Sequence, residues 1–208
     1  MLRREAVRPE LFRLLIDIFD SDYFPDFFLV GGTALALKLG HRESIDIDLF
    51  TDKEIHPEQI LEKMADFGEL TLIGMNPGGL NVLIDGIKID FVRHPYTILE
   101  PIEKHNSVRM LSNIDIAAQK LHAIVRRGSK KDFIDLYYLL NLFSVKELIS
   151  AYGKKYNHTL YESFVLKSMT YFDDADEQTM PKIFDGTTWQ EIKQGISQKC
   201  NKQSNSGF

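Results

Sequence analysis

Three aspartates interrupt apolar runs that alternate as β-strands do. Asp46 and Asp48 lie in the run 45–49, and Asp90 lies in the run 87–92. Side chains two residues apart on a strand point to one face, so the first two carboxylates would stand side by side. Carboxylates that close repel each other unless a cation lies between them, and Mg²⁺ and Mn²⁺ favour such oxygen ligands. The pattern predicts a divalent metal site, which Asp90 joins if the two strands pair.

A pair of glycines precedes the acidic strand. Gly31 and Gly32 stand between an apolar run, 27–30, and a stretch that looks helical, with Thr33 at its start. Glycine has no Cβ and lets a bulky anion approach the backbone, while the first N–H groups of a helix point at that anion. The Thr33 hydroxyl adds a further donor, and Arg42 has a fork that suits phosphate. These residues predict a binding loop for a nucleoside triphosphate.

Together the two features predict phosphoryl chemistry. If the two strands pair, Asp46, Asp48 and Asp90 would hold divalent metal, which could support an in-line displacement at phosphorus. Asp90 is the candidate for activating the attacking hydroxyl. Each feature alone has a plainer explanation, because glycine pairs are common in turns and an acid on a strand often faces water. Their combination at this spacing favours a functional site.

The elements that must position these residues change in type along the chain. Strands are predicted at 27–30, 45–50, 69–75, 80–84 and 87–93, and helices at 5–19, 33–39, 57–67, 113–127, 130–140, 145–156, 160–171 and 188–199. Strands with interspersed helices therefore fill 1–112, and helices fill 113–200. We expect an α/β core over 1–112, a helical part over 113–200 packed on it, and a frayed polar tail over 201–208.

Composition narrows the functional classes. The chain has 208 residues, 44% of them hydrophobic, and a formal net charge of -5, so no global basic field attracts nucleic acid. Any such contact needs a local patch, and the dense basic cluster is Arg126, Arg127, Lys130 and Lys131. Cys200 is the single cysteine, which excludes a disulfide framework. No run reaches the ~20 apolar residues that span a bilayer, so we expect a cytoplasmic protein with no membrane partner.

The segment Val30–Phe50 resembles the first motif of the AbiEii/AbiGii-type nucleotidyltransferases, which belong to the DNA polymerase β-like superfamily. The resemblance implies an α+β fold, with a mixed β-sheet core, flanking helices and a C-terminal helical bundle. Residues 116–121 and 130–137 resemble two later family motifs. They imply that Lys120 contacts phosphate and that Asp132 or Asp135 completes the site. The plainer explanations are a lysine whose stem lies along the core and acids that suit a helix N-terminus.

The resemblance also implies a reaction. Family members move a nucleoside monophosphate from a triphosphate onto an acceptor hydroxyl, which for some is tRNA. It further implies a toxin of a type IV toxin–antitoxin or abortive-infection system, with an antitoxin as partner. The alternative is a nucleotide-binding module of the same fold without catalysis. A phosphohydrolase ranks last, because no nucleophile or histidine–acid cluster has the required spacing.

Overall fold

The computed structural model describes residues 1–157 and 162–205, which form two compact units. The first unit comprises residues 1–96 and 101–111. The second comprises residues 97–100 and the chain from Ser112 onwards. Across the described ranges, no helix has the length and apolar character that crossing a membrane requires.

A mixed β-sheet dominates the first unit, as the sequence predicts. Its order is β3-β4-β5-β2-β1-β7-β6, with parallel pairing of β2 with β5 and of β1 with β7. The other neighbours are antiparallel. The strands are β1 Phe28–Leu29, β2 Asp46–Thr51, β3 Leu70–Asn76, β4 Gly79–Ile84, β5 Ile87–Arg93, β6 Glu103–His105 and β7 Val108–Met110.

Helices flank this sheet. They are α1 Pro9–Asp20, α2 Gly31–Leu39 and α3 Pro57–Met64, with short 3-10 turns at Arg4–Ala6 and Ala65–Phe67. Pro9 opens α1, where its missing N–H costs nothing. Gly40 ends α2 in the left-handed conformation, with φ of 66°. The predicted helices of the first unit are thus present, with shifted ends.

Alternation sorts the side chains of the two central strands onto opposite faces. Ile47 and Leu49 of β2 and Ile89 and Phe91 of β5 are fully buried. The residues between them are only half-buried. The core therefore lies on one face of the sheet, and the acids of β2 and β5 lie on the other.

The sheet contains one hairpin that the sequence predicted, between β4 and β5, and one that it did not, between β6 and β7. Asp85 and Gly86 both have positive φ, 49° and 77°, as expected for a two-residue turn between paired strands. A second hairpin joins β6 to β7, with Asn106 at φ of 56°, and it was not predicted. Its strands have three residues each, which is too short for alternation to give a signal.

The second unit is helical in its described residues. Its helices are α4 Asn113–Arg126, α5 Lys130–Leu139, α6 Val145–Tyr156, α7 Glu162–Met169, α8 Asp173–Asp176 and α9 Trp189–Asn205. Ser112 caps α4 by accepting the Asp115 N–H, and Ser144 with Glu147 forms a capping box on α6. The mixed sheet, the flanking helices and this helical part confirm the predicted fold class.

Residues 201–205 are helical, although the sequence predicted a frayed tail from 201. Ile192, Ile196 and Cys200 recur at intervals of four and are buried, so they hold the helix to the unit as far as Cys200. The helix then continues into the polar segment through its own backbone hydrogen bonds. Residues 206–208 of the predicted tail, and residues 160 and 161 of the predicted helix 160–171, lie outside the described residues.

A buried ion pair between α6 and α4 holds segment 97–100 to the helices of the second unit. The Lys155 ammonium lies 2.7 Å from Asp115 Oδ1, and both side chains are fully buried. The backbone N–H groups of Leu99 and Glu100 also donate to Asp115, at 3.0 and 3.1 Å. Lys155 donates in addition to the Thr97 carbonyl at 2.8 Å. These bonds explain why a short segment leaves the sheet unit and belongs with the helices.

Candidate active site

The three predicted metal-binding aspartates share one face of the first unit's sheet. The parallel register of β2 and β5 places Asp46 opposite Lys88 and Asp48 opposite Asp90. The four side chains thus form a square of three carboxylates and one ammonium on the face away from the core. The predicted site requires the strand of Asp90 to pair with the strand of Asp46 and Asp48. The structure shows this pairing, between β2 and β5.

Asp90 is held from both sides. The Lys88 ammonium lies 2.5 Å from its Oδ2, and the Asn81 amide of β4 donates to its Oδ1 at 2.8 Å. Burial lowers the pKa of Lys88, but the hydrogen bond to Asp90 and the charges of Asp90, Asp46 and Asp48 outweigh it. The pKa of Lys88 therefore lies above its ordinary value. This ammonium is positively charged at neutral pH and acts on all three carboxylates.

Gly31 makes room for an acid. It begins α2 at φ of 66°, and a Cβ built on it would lie 2.4 Å from Oδ2 of Asp48. The sequence predicts that these glycines admit a bulky anion. The structure shows that Gly31 makes room for the Asp48 side chain, and the contact with a bound anion stays a prediction.

Gly32 makes room for the Arg42 side chain, as Gly31 does for that of Asp48. A Cβ on Gly32 would lie 2.4 Å from Nη2 of Arg42. Arg42 is 2% exposed, and its Nη1 donates to the Glu43 carbonyl at 2.9 Å. The predicted phosphate ligand is thus packed against the first turn of α2, beneath the surface. A direct contact with phosphate would require the guanidinium to move outward.

Thr33 turns inward. Its hydroxyl is bonded to Ser44 Oγ at 2.8 Å and to the carbonyl oxygen of Asp46, and the residue is 1% exposed. Thr33 therefore ties the start of α2 to the start of β2. This contact places Asp46 and Asp48 beside the two glycines that begin α2. Its predicted contact with a phosphate would require the hydroxyl to leave these partners.

The face suits a cation by its chemistry. Within residues 1–157 and 162–205, no three His, Cys, Asp or Glu side chains are grouped closely enough to hold a metal ion. The Lys88 ammonium is itself a cation held against carboxylate oxygens, the ligands that Mg²⁺ and Mn²⁺ prefer. Asp46 and Asp48 would hold such an ion at this face. Asp90 can join them once Lys88 leaves its Oδ2.

The remaining predicted site residues lie in the second unit and bind one another. The Lys120 ammonium lies 3.0 Å from Oδ1 of Asp132 and 2.7 Å from Oδ2 of Asp135, and all three residues are buried. Ser129 donates to the other oxygen of Asp132 at 2.6 Å. The sequence predicts that Lys120 contacts phosphate. In the structure its charge is already met by two carboxylates, which join α4 to α5.

Asp132 is an anion at neutral pH. Burial raises the pKa of its carboxyl, but the charge of Lys120 and the hydrogen bonds from Ser129 and Lys120 outweigh burial. The pKa of Asp132 therefore lies below its ordinary value. The triad of Lys120, Asp132 and Asp135 carries two carboxylates and one ammonium.

Part of the basic cluster is not on the surface. Lys130 is 6% exposed and donates to the carbonyls of Asp176 and Gln178. Arg126 and Arg127 are exposed, and they line a cavity of about 320 Å³ with Lys167, Phe164 and Tyr171. The two aromatic side chains are about half exposed, at 49% and 51%. The surface of the second unit thus combines cations with accessible rings.

The family match decides the identity. The model of the family described as "Nucleotidyl transferase AbiEii toxin, Type IV TA system" matches residues 13–199. The chain belongs to the AbiEii family. The uncharacterized protein aq_aa25 of Aquifex aeolicus (strain VF5) is 36% identical over 183 residues, which cover 85% of this chain and 87% of that one. The resemblance found at residues 30–50 is thereby confirmed, and this AbiEii chain is a nucleotidyltransferase.

A solved structure shares the fold of this chain. A crystal structure described as a candidate nucleotidyltransferase from H. pylori has a TM-score of 0.60 to this AbiEii chain. It shares 14% sequence identity and covers 95% of this chain and 93% of its own. The similarity at this identity concerns the fold, which both chains share over nearly their whole length.

Asn81 and Lys88 were not among the predicted site residues of this AbiEii protein. A signal for each is present in the sequence. Lys88 stands two residues before Asp90 and so shares its face, and Asn81 is the polar residue within the apolar strand Gly79–Ile84. What the sequence does not contain is the register that sets Asn81 opposite Asp90.

Proposed function

We propose that the open face of the first unit transfers a nucleoside monophosphate from a triphosphate to an acceptor hydroxyl. The observation that carries this proposal is the pairing of Asp48 with Asp90 on one face, with Gly31 against Asp48. A divalent cation, Mg²⁺ or Mn²⁺, bound there would neutralise charge on the triphosphate and lower the pKa of a hydroxyl. Gly31 and Gly32, the first two residues of α2, would offer backbone N–H groups to the phosphates.

The chemical step is a displacement at the α-phosphorus. The acceptor oxygen forms a bond to the α-phosphorus, and the bond from that phosphorus to the bridging oxygen of the pyrophosphate breaks. Asp90 takes the hydroxyl proton, and pyrophosphate leaves with the electron pair of the broken bond. Asp46 and Asp48 position the cation and are not consumed. Lys120, Asp132 and Asp135 remain predicted contributors, through the family resemblance.

RNA is the acceptor that the second unit's surface favours. Single-stranded nucleic acid binds where cations meet aromatic rings on which bases stack. Around one cavity, Arg126, Arg127 and Lys167 supply three cations against the single acid Asp174, and the exposed rings are those of Phe164 and Tyr171. The overall charge of -5 makes such a local patch necessary.

Labelling tests the reaction. Purified protein is incubated with each α-labelled triphosphate, Mg²⁺ or Mn²⁺, and total cellular RNA. Label is expected in RNA with the wild type, and Asp46→Asn, Asp48→Asn and Asp90→Asn should each remove it. Asp52→Asn is the matched control, because Asp52 is an exposed acid one residue beyond β2. Label found in the protein itself or in a small molecule, and not in RNA, would show that RNA is not the acceptor.

The competing hypothesis is a binding module without catalysis. It predicts stabilisation by triphosphate with metal, lost in Asp48→Asn, but no transfer to any acceptor. The presence of all three acids on one face favours the enzyme.

The cellular role follows from the family, and we propose a toxin whose activity an antitoxin restrains. Induced expression of the wild type in bacterial cells should arrest growth, and Asp48→Asn should not. Equal growth of both strains at equal protein levels would contradict the toxin role and leave the labelling result unaffected.

A further inference from the structure

The carboxylate face contains its own counterion. Lys88 stands opposite Asp46 in the register and two residues from Asp90, so it occupies the corner of the square between these two acids. Its ammonium lies 2.5 Å from Oδ2 of Asp90. Without Lys88, strand β5 would contribute no positive charge to a face that carries three carboxylates. Like charges at directly opposite positions of paired strands destabilise the sheet.

The two groups that hold Asp90 differ in how readily they can leave. Asn81 is neutral and short, and it donates to Oδ1 from the neighbouring strand, so it keeps Asp90 in place. Lys88 is a flexible four-carbon cation whose side chain is 42% exposed, while that of Asp90 is 17% exposed. Oδ2 is therefore the oxygen that can become available.

We propose that Lys88 is a resident counterion, which competes with the divalent cation for the carboxylate face and must release Asp90 before that side chain can act. This inference rests on the proposed function, since it assumes that the same face takes the metal. In the metal-free protein Lys88 keeps the acids together. When Mg²⁺ or Mn²⁺ binds, the ammonium is displaced, and Oδ2 of Asp90 becomes available to a ligand or a proton.

The proposal predicts a gain of metal affinity on removal of the lysine. Mn²⁺ is titrated calorimetrically into the full chain without nucleotide, for wild type, Lys88→Met and Lys88→Arg. Lys88→Met should bind Mn²⁺ about tenfold or more tightly, because a nearby competing charge is gone. Lys88→Arg should stay near the wild type, because it keeps the charge. Lys53→Met is the control, since Lys53 is an exposed lysine on the loop after β2 and its loss changes the net charge equally.

A second measurement guards against a folding defect. The melting temperature of Lys88→Met should fall below that of the wild type without metal, because the carboxylates repel, and should rise more steeply as Mn²⁺ is added. Unchanged or weaker Mn²⁺ binding by Lys88→Met, with a folded spectrum, would overturn the counterion role.

The two proposals fail in different ways. If Asp48→Asn leaves Mn²⁺ binding of the otherwise wild-type chain intact, the metal site of the proposed function is wrong. If Asp48→Asn abolishes binding but Lys88→Met does not strengthen it, only the role of Lys88 is wrong.

Discussion

Oδ2 of Asp48 occupies the place that a side chain at residue 31 would need, since a Cβ built on Gly31 would lie 2.4 Å from it. The glycine loop and the acidic strand are therefore in direct contact. A β-carbon at this position would force the Asp48 carboxylate to shift. Gly31 also has φ of 66°, a conformation that other residues rarely adopt.

Gly31→Ala should therefore lose more stability than backbone strain alone explains. We expect a decrease of about 2–4 kcal/mol in the free energy of unfolding, from the strained φ together with the displaced Asp48. Urea unfolding followed by circular dichroism measures it. Gly86→Ala is the matched control, because φ is 77° there and a Cβ would meet no atom within 4 Å. If both variants lose the same free energy of unfolding, the clash with Asp48 makes no contribution to the loss in Gly31→Ala.

Local patterns were sufficient to predict most elements of the first unit. Alternation within 45–49 and 87–92 gave the two acidic strands, and Asp85-Gly86 gave the hairpin between β4 and β5. The contact of Gly31 with Asp48 spans seventeen residues, 48 minus 31, and depends on how α2 meets β2. Such a contact is set by tertiary packing, which no local period encodes. The sequence therefore identified the two glycines as site residues, but it did not predict that Gly31 makes room for the Asp48 side chain.

Lys120 shows the same limit in the second unit. The family resemblance implied that Lys120 contacts phosphate, whereas its position on the edge of an apolar stripe favoured a stem that lies along the core. The structure places it between Asp132 and Asp135, because α5 packs beside α4. Neither helix alone reveals that the ammonium and the carboxylates meet.

Loss of Lys155 should destabilise the second unit strongly. Lys155→Met would leave the fully buried Asp115 carboxylate without its cation, which typically costs about 3–5 kcal/mol. Urea unfolding gives the magnitude. Lys154→Met is the control, because Lys154 is the exposed neighbour on the same helix. A loss no greater than that of the control would mean that the backbone donors from Leu99 and Glu100 suffice for Asp115.

Asp132 should make stability depend on acid pH. Because its pKa is lowered in the folded protein, the unfolded chain takes up a proton more readily at this site. The stabilisation is therefore complete above the ordinary value of 3.8 and is lost as pH falls through the lower folded value. Asp132→Asn should cost about 1.5–3 kcal/mol at pH 7, the contribution of hydrogen bonds to a charged group.

The difference between wild type and Asp132→Asn isolates this residue from other titrating acids. Urea unfolding at pH 7, 5, 4 and 3 should give a constant difference down to about pH 4 and a smaller one at pH 3. A difference that stays constant to pH 3 would show that Asp132 is not the group that responds.

Cys200 should be unreactive until α9 opens. The residue is 3% exposed, and burial raises the pKa of its thiol to about 11. At pH 7 roughly one thiol in ten thousand is then ionised, and the thiolate is the reactive form. We expect a disulfide reagent such as dithiobis(nitrobenzoic acid) to react slowly with the native protein and rapidly in urea. Cys200→Ser gives the background, and complete reaction of the native chain within seconds would show that α9 is not packed as described.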